Sequence, residues 1–140
     1  MESQDVRILI AEDDEDIRLL LRRVFSHVGV HVTTVSNGAE ALAAIATVAP
    51  HCLVLDLRMP DVDGMEVLST MRSNGSSVPA VMLTASVDSD VEADALAVGA
   101  FAVVRKPFQT RALLTVVASA IHSVCPGLDF PERFAAATHV

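Results

Sequence analysis

Residues 52–56 read Cys-Leu-Val-Leu-Asp, "CLVLD", an apolar run that meets its first charged group at its last position. A strand with one wet face alternates polar and apolar residues. This one does not, so it predicts a strand buried on both faces, as in a parallel sheet covered by helices. Two further runs have the same character, "VRILIA" (6–11) and "AVMLT" (80–84). The β-branched "HVTTV" (31–35) and the short "FAVV" (101–104) complete a set of five strands.

Between these runs the apolar period changes from continuous to helical. In "DEDIRLLLRRVFSHVG" (14–29), Ile17, Leu20, Leu21, Val24 and Val28 share one face, and Gly29 is a stop signal. "NGAEALAAIATVA" (37–49) opens on a capping Asn and ends before Pro50. "MEVLSTMRS" (65–73) places Val67, Leu68 and Met71 together, "DSDVEADALAVG" (88–99) is alanine-rich, and "QTRALLTVVASAIH" (109–122) turns Leu113, Leu114, Val117 and Ile121 inward. Five strands alternating with five helices imply right-handed crossovers and a parallel sheet covered on both sides, a three-layer α/β sandwich of (βα)5 type.

The chain's 140 residues suffice for one domain with a full core. No apolar run approaches the length of a membrane span, and no charged segment with a cleavage site opens the chain, so a soluble cytoplasmic protein is expected. A net charge of −8 argues against direct nucleic-acid binding. The one basic cluster, "RLLLRR" (18–23), interleaves with helix-spaced leucines and reads as a solvated helix face. Cys52 and Cys125 show no metal-ligand spacing and read as reduced thiols.

In such sheets chemistry collects beyond the carboxyl ends of the strands. The first strand runs into Glu12, Asp13 and Asp14, the third ends in Asp56, the fourth in Thr84, and the fifth leads through Arg105 to Lys106. Lys106 is the only lysine; the nine other basic residues are arginines. Singly, each has a bland reading, since acidic residues cap helix starts and favour the macrodipole. Together they do not. Carboxylates brought within about 4 Å repel by several kcal/mol at an effective dielectric of about 20. A hard divalent cation compensates, and an all-oxygen site suits Mg²⁺. Such a cluster, with an ammonium and a hydroxyl beside it, is suited to receive a dianionic phosphoryl group on one carboxylate.

The segments "ILIAEDD", "LVLDLRMPDVDG", "VMLTA" and "VRKPF", in this order and spacing, resemble the receiver domain of two-component response regulators over residues 6–122. The resemblance implies a flavodoxin/CheY-like fold with strand order 2-1-3-4-5. It implies that Asp56 is the phosphoacceptor and Asp13 a direct Mg²⁺ ligand. Glu12 acts there largely through water, and the main-chain carbonyl of Arg58 is a third ligand. Thr84 becomes the switch hydroxyl, followed by Ala85, and Lys106 the phosphate-contacting ammonium, with a cis bond to Pro107. Pro60 and Gly64 shape the loop. Counting back from Ile17 makes Glu12–Asp13 the acidic pair and Asp14 an extra cap. The implied partner is a sensor histidine kinase or a histidine phosphotransfer protein, with a homodimer through the 88–122 face as a further association. No catalysis beyond self-phosphotransfer and slow loss of the phosphoryl group is implied.

There are departures. The family usually carries an aromatic three residues before its lysine; here that position is Val103, and the chain has no Tyr. Phe101 stands two residues earlier, roughly 6–7 Å along a strand, so an atypical readout of phosphorylation is expected. Arg58 and Ser86 occupy the variable positions that in the family influence dephosphorylation. Two other readings stay open. One is a receiver-like interaction module that is never phosphorylated. The other is an aspartate-nucleophile phosphatase, which would want a second Asp where Arg58 stands. The "DVDG" fragment (61–64) resembles part of a calcium loop, but Met59 occupies its first ligand position. Residues 1–122 are read as the receiver and 123–140 as a ragged tail or truncated linker, with Phe130 and Phe134 packing on the last helix, joining a dimer contact or starting a linker.

Overall fold

The computed structural model describes residues 5–138. Its elements alternate as β1 (Arg7–Ala11), α1 (Glu15–His27), β2 (His31–Val35), α2 (Gly38–Val48), β3 (Cys52–Asp56), α3 (Gly64–Ser73), β4 (Ala80–Thr84), α4 (Ser89–Val98), β5 (Ala102–Arg105) and α5 (Thr110–Val124), with α6 (Glu132–Thr138) beyond the repeat. The strands form one parallel sheet in the order β2-β1-β3-β4-β5, as the resemblance implied. Every residue of β3 and β4 is buried, which is what their unbroken apolar runs require.

Alternate residues of the strands feed two cores. Ile8, Ile10, Val54, Val81 and Leu83 pack with α1, α5 and α6, while Leu9, Leu53, Leu55 and Met82 pack with α2, α3 and α4. Polar residues just before the helices fix where each begins. Asp14 accepts from the Ile17 N–H at 3.1 Å, Asn37 from Glu40 at 2.8 Å, and Asp63 from Glu66 at 2.9 Å. Asp14 is therefore the cap of α1, which leaves Glu12 and Asp13 to the strand end.

Two sequence expectations change. The last strand runs one residue later than "FAVV", because the ladder with β4 pairs Val81 with Ala102 and Thr84 with Arg105. Phe101 thus precedes β5 and is exposed, at the opposite end of the strand from Lys106. The expected ragged terminus is corrected over residues 123–138. Leu128 and Phe134 are buried in the α1–α5 core, and Phe130 stacks on His122 with ring centroids 4.1 Å apart and tilts against Phe134 at 4.5 Å. Arg133 also donates to the carbonyl of His27 at 3.3 Å. The last two residues of the tail lie outside the described range.

Candidate functional site

Parallel strands deliver their carboxyl ends to one edge, and the sheet order places β1, β3, β4 and β5 side by side there. Glu12, Asp13 and Asp56 meet at that edge, with carboxylate oxygens all within 4.8 Å of one another. Glu12 is fully buried, Asp56 nearly so, and Asp13 exposed. Lys106 reaches in from the end of β5. Its Nζ lies 2.7 Å from Glu12 Oε1 and 3.2 Å from Asp56 Oδ2. The Lys106 N–H donates to the Thr84 carbonyl at 2.7 Å, and the Lys106–Pro107 peptide is cis.

Backbone contacts hold the acids in place. The Asp14 N–H donates to Glu12 Oε2 at 3.2 Å, and the Arg58 N–H to Asp56 Oδ1 at 3.3 Å. Arg18 Nη1 donates to the carbonyls of Glu12 at 3.0 Å and Asp13 at 3.5 Å. Reading "RLLLRR" as a solvated face therefore holds for Arg22 and Arg23 and misses Arg18, whose half-buried guanidinium ties the first turn of α1 to the acidic strand end. Gly64 opens α3 so close to β3 that a Cβ there would sit 2.4 Å from the Asp56 carbonyl oxygen. The Gly64 N–H donates to the Leu57 carbonyl at 3.0 Å, which closes the loop containing Arg58 and Pro60.

Three carboxylates against one ammonium leave excess negative charge. Burial pushes the Asp56 carboxyl up to about 7; Glu12, through hydrogen bonding and charge, and Asp13 push the same way, while Lys106 opposes them. Burial alone would lower the Lys106 ammonium, but Glu12 and Asp56 outweigh it and leave it raised. Glu12 Oε1 is buried and meets the Lys106 ammonium at 2.7 Å. An all-oxygen cluster of three carboxylates, with more negative charge than one ammonium offsets, fits a hard divalent cation.

Thr84 is buried at the end of β4, one residue past the partner of Asp56 in the β3–β4 register, and its Oγ1 accepts from the Ser86 N–H at 3.0 Å. Ala85 and Pro107 are exposed beside it, and Ser86 is half-buried. Arg58 is exposed. Val103 packs into the α2–α3–α4 core and leaves no aromatic ring three residues before Lys106.

The sequence profile described as "Response regulator receiver domain" matches residues 8–118. The chain is 35% identical over 115 residues to "Regulatory protein AtoC" of Escherichia coli (strain K12), an alignment that covers 82% of this chain and 25% of that one. It is 38% identical over 128 residues to "Response regulator MprA" of Mycobacterium sp. (strain KMS), covering 90% of this chain and 56% of that protein. It therefore spans between a quarter and about half the length of these relatives. Among solved structures, the receiver domain of the Francisella response regulator 1452 superposes with a TM-score of 0.81 at 27% identity, covering 85% of this chain and 98% of that one. Vibrio cholerae CheY4 gives 0.77, also at 27% identity, covering 84% and 99%.

The chain belongs to the receiver domain family of two-component response regulators, and phosphorylation-controlled signalling is its class of function. Members of this family are generally non-enzymatic signalling modules that interact with histidine kinases and bind Mg²⁺. Among the described residues, no helix is long and apolar enough to cross a membrane.

Proposed function

We propose that Asp56 accepts a phosphoryl group from the phosphohistidine of a sensor histidine kinase or histidine phosphotransfer protein, and that the modified domain changes its affinity for a partner or for a second copy. The observation that carries this is the meeting of Asp56, Glu12 and Asp13 with the single lysine at the sheet edge. Asp56 Oδ attacks phosphorus, the P–N bond breaks, the imidazole leaves with its electron pair and takes up a proton, and an aspartyl phosphate forms. Water later attacks phosphorus, which returns the carboxylate and releases inorganic phosphate.

Asp13, Glu12, Asp56 and the Arg58 carbonyl would hold Mg²⁺, whose charge offsets that of the carboxylates and of the incoming phosphoryl oxygens. Lys106 pairs with Asp56 and turns to a phosphoryl oxygen once the acid is phosphorylated. A slim ammonium suits that space better than a planar guanidinium. Thr84 donates its hydroxyl hydrogen to another oxygen, and exposed Ala85 leaves that approach open. Arg58 and Ser86 flank the phosphoryl group and bear on its lifetime. An exposed arginine at position 58 supplies no general acid, which disfavours an aspartate-nucleophile phosphatase.

Residues 1–122 act as the receiver, in the cytoplasm with their kinase, and the 88–122 face is where association changes. The test is intact mass after incubation with acetyl phosphate and Mg²⁺. The expected result is a gain of one phosphoryl group that Asp56→Asn abolishes. No gain, or a gain that survives Asp56→Asn, overturns the assignment.

A further inference from the structure

The acidic end of β1 is held from outside the sheet. The β1–β2 register stops at Ala11 opposite Val35, and the Glu12 N–H still reaches the Val35 carbonyl at 3.1 Å. There the main chain leaves the sheet while Glu12 stays fully buried, and a buried carbonyl needs a donor from elsewhere. Arg18 is that donor. Its Nη1 lies 3.0 Å from the Glu12 carbonyl oxygen and 3.5 Å from that of Asp13. Helix α1 does not depend on this contact, because Leu21 and Phe25 bury it and Asp14 caps it. The guanidinium meets main-chain oxygens rather than the site's carboxylates. Its charge is felt instead on α2, where the Glu40 carboxyl lies below its usual value, first through the Ser36 N–H and hydroxyl and, less, through Arg18.

We infer that Arg18 is a positioning residue for the divalent cation: by fixing the Glu12–Asp13 main chain, it keeps both carboxylates converged on Asp56. The inference rests on the reading of Glu12, Asp13 and Asp56 as a Mg²⁺ site. Removing Arg18 has two opposed effects. Loss of a cation favours Mg²⁺, but only weakly, because charge in contact with solvent is screened. Freed carbonyls let the two carboxylates part, which disfavours Mg²⁺. Groups that orient metal ligands commonly carry about 10- to 100-fold in affinity, so the second effect wins. A merely structural Arg18 would lower stability with and without the metal and leave the affinity unchanged.

The experiment titrates Mg²⁺ alone into the chain and follows amide shifts, with the metal-free spectrum and unfolding midpoint of each sample as a check on the fold. Wild type, Arg18→Met, Arg18→Lys and Arg23→Met are used. Arg18→Met should raise the Kd for Mg²⁺ at least about ten-fold. Arg18→Lys, which keeps the charge but not the planar fork, should fall between it and wild type. Arg23→Met, which removes an exposed cation from the same helix, should stay within about two-fold of wild type. An unchanged or lower Kd in Arg18→Met would overturn the inference and leave the function standing. An equal loss in Arg23→Met would overturn it too, since any cation on α1 would then serve. Should Arg18→Met lose the wild-type fold, Arg18→Lys decides alone, and a wild-type Kd there would overturn the inference. A wild type that binds no Mg²⁺ would remove the reading of the site itself.

Discussion

Helices α4 and α5 flank the same edge strand, β5, and are anchored very differently. Six residues of α5 are buried, Leu113, Leu114, Val117, Ala118, Ala120 and Ile121, and α6 adds Phe134 to the same core. In α4 the corresponding set is Ala95 alone, and the start of the helix hangs on side-chain-to-backbone bonds that begin at Thr84. A buried aliphatic side chain contributes roughly 1.5–3 kcal/mol. The α5–α6 side is therefore held by far more than a rearranged hydrogen bond can overcome, whereas α4 is within its reach. The contrast teaches that a charge change at Asp56 would have a soft side and a stiff side to act on.

The sharpest way to break this contrast is on the stiff side. Phe134→Ala should cost about 3–5 kcal/mol, because the ring is fully buried in the α1–α5 core. A fall in the thermal unfolding midpoint measures it; an unchanged midpoint would mean α6 is dispensable. Next comes Gly64→Ala, where the added methyl meets the Asp56 carbonyl. That overpacking should cost about 1–3 kcal/mol and slow phosphoryl uptake, read by denaturant unfolding and by mass gain over time. Ala95→Gly in α4 should cost only about 1 kcal/mol. If it matched Phe134→Ala, the two sides would not differ as described.

The last effect is electrostatic and depends on pH. A carboxyl raised to about 7 in the fold binds its proton more tightly there than in the unfolded chain. That stabilisation is fully present below the ordinary carboxylate value near 4 and is lost as pH rises through about 7. Without Mg²⁺, the unfolding midpoint should therefore fall over this range in wild type and less in Asp56→Asn. Adding Mg²⁺ at pH 8 should restore it. A metal-free midpoint that rises with pH relative to Asp56→Asn would contradict the burial argument.

The sheet and its ten repeating elements were legible because "CLVLD" and "AVMLT" have no polar face and the intervening helices have one. The acidic cluster was legible because strand ends in a parallel sheet converge, and because Asp14 caps α1 and so leaves Glu12 and Asp13 to the site. What escaped was short or depended on a long side chain's reach. α6 has seven residues, too few for a periodic stripe, and it follows Pro126, Gly127 and Pro131, which read as loop. Its single anchor, Phe134, gives no pattern by itself. Arg18 and Arg105 act through backbone carbonyls, and no spacing rule marks a guanidinium that will find one. Ser86 was singled out as a flanking position, but its bond to the Thr84 hydroxyl required the turn geometry.

The central claim, that the phosphoryl group on Asp56 is read on the α4 side, is tested most directly by peptide-resolved hydrogen exchange with and without acetyl phosphate and Mg²⁺. Added mass is expected on the peptide containing Asp56, with altered exchange over 85–98 and a much smaller change over 110–138. Altered exchange in α5 and α6 with none in α4, on a chain carrying the phosphoryl group, would contradict it.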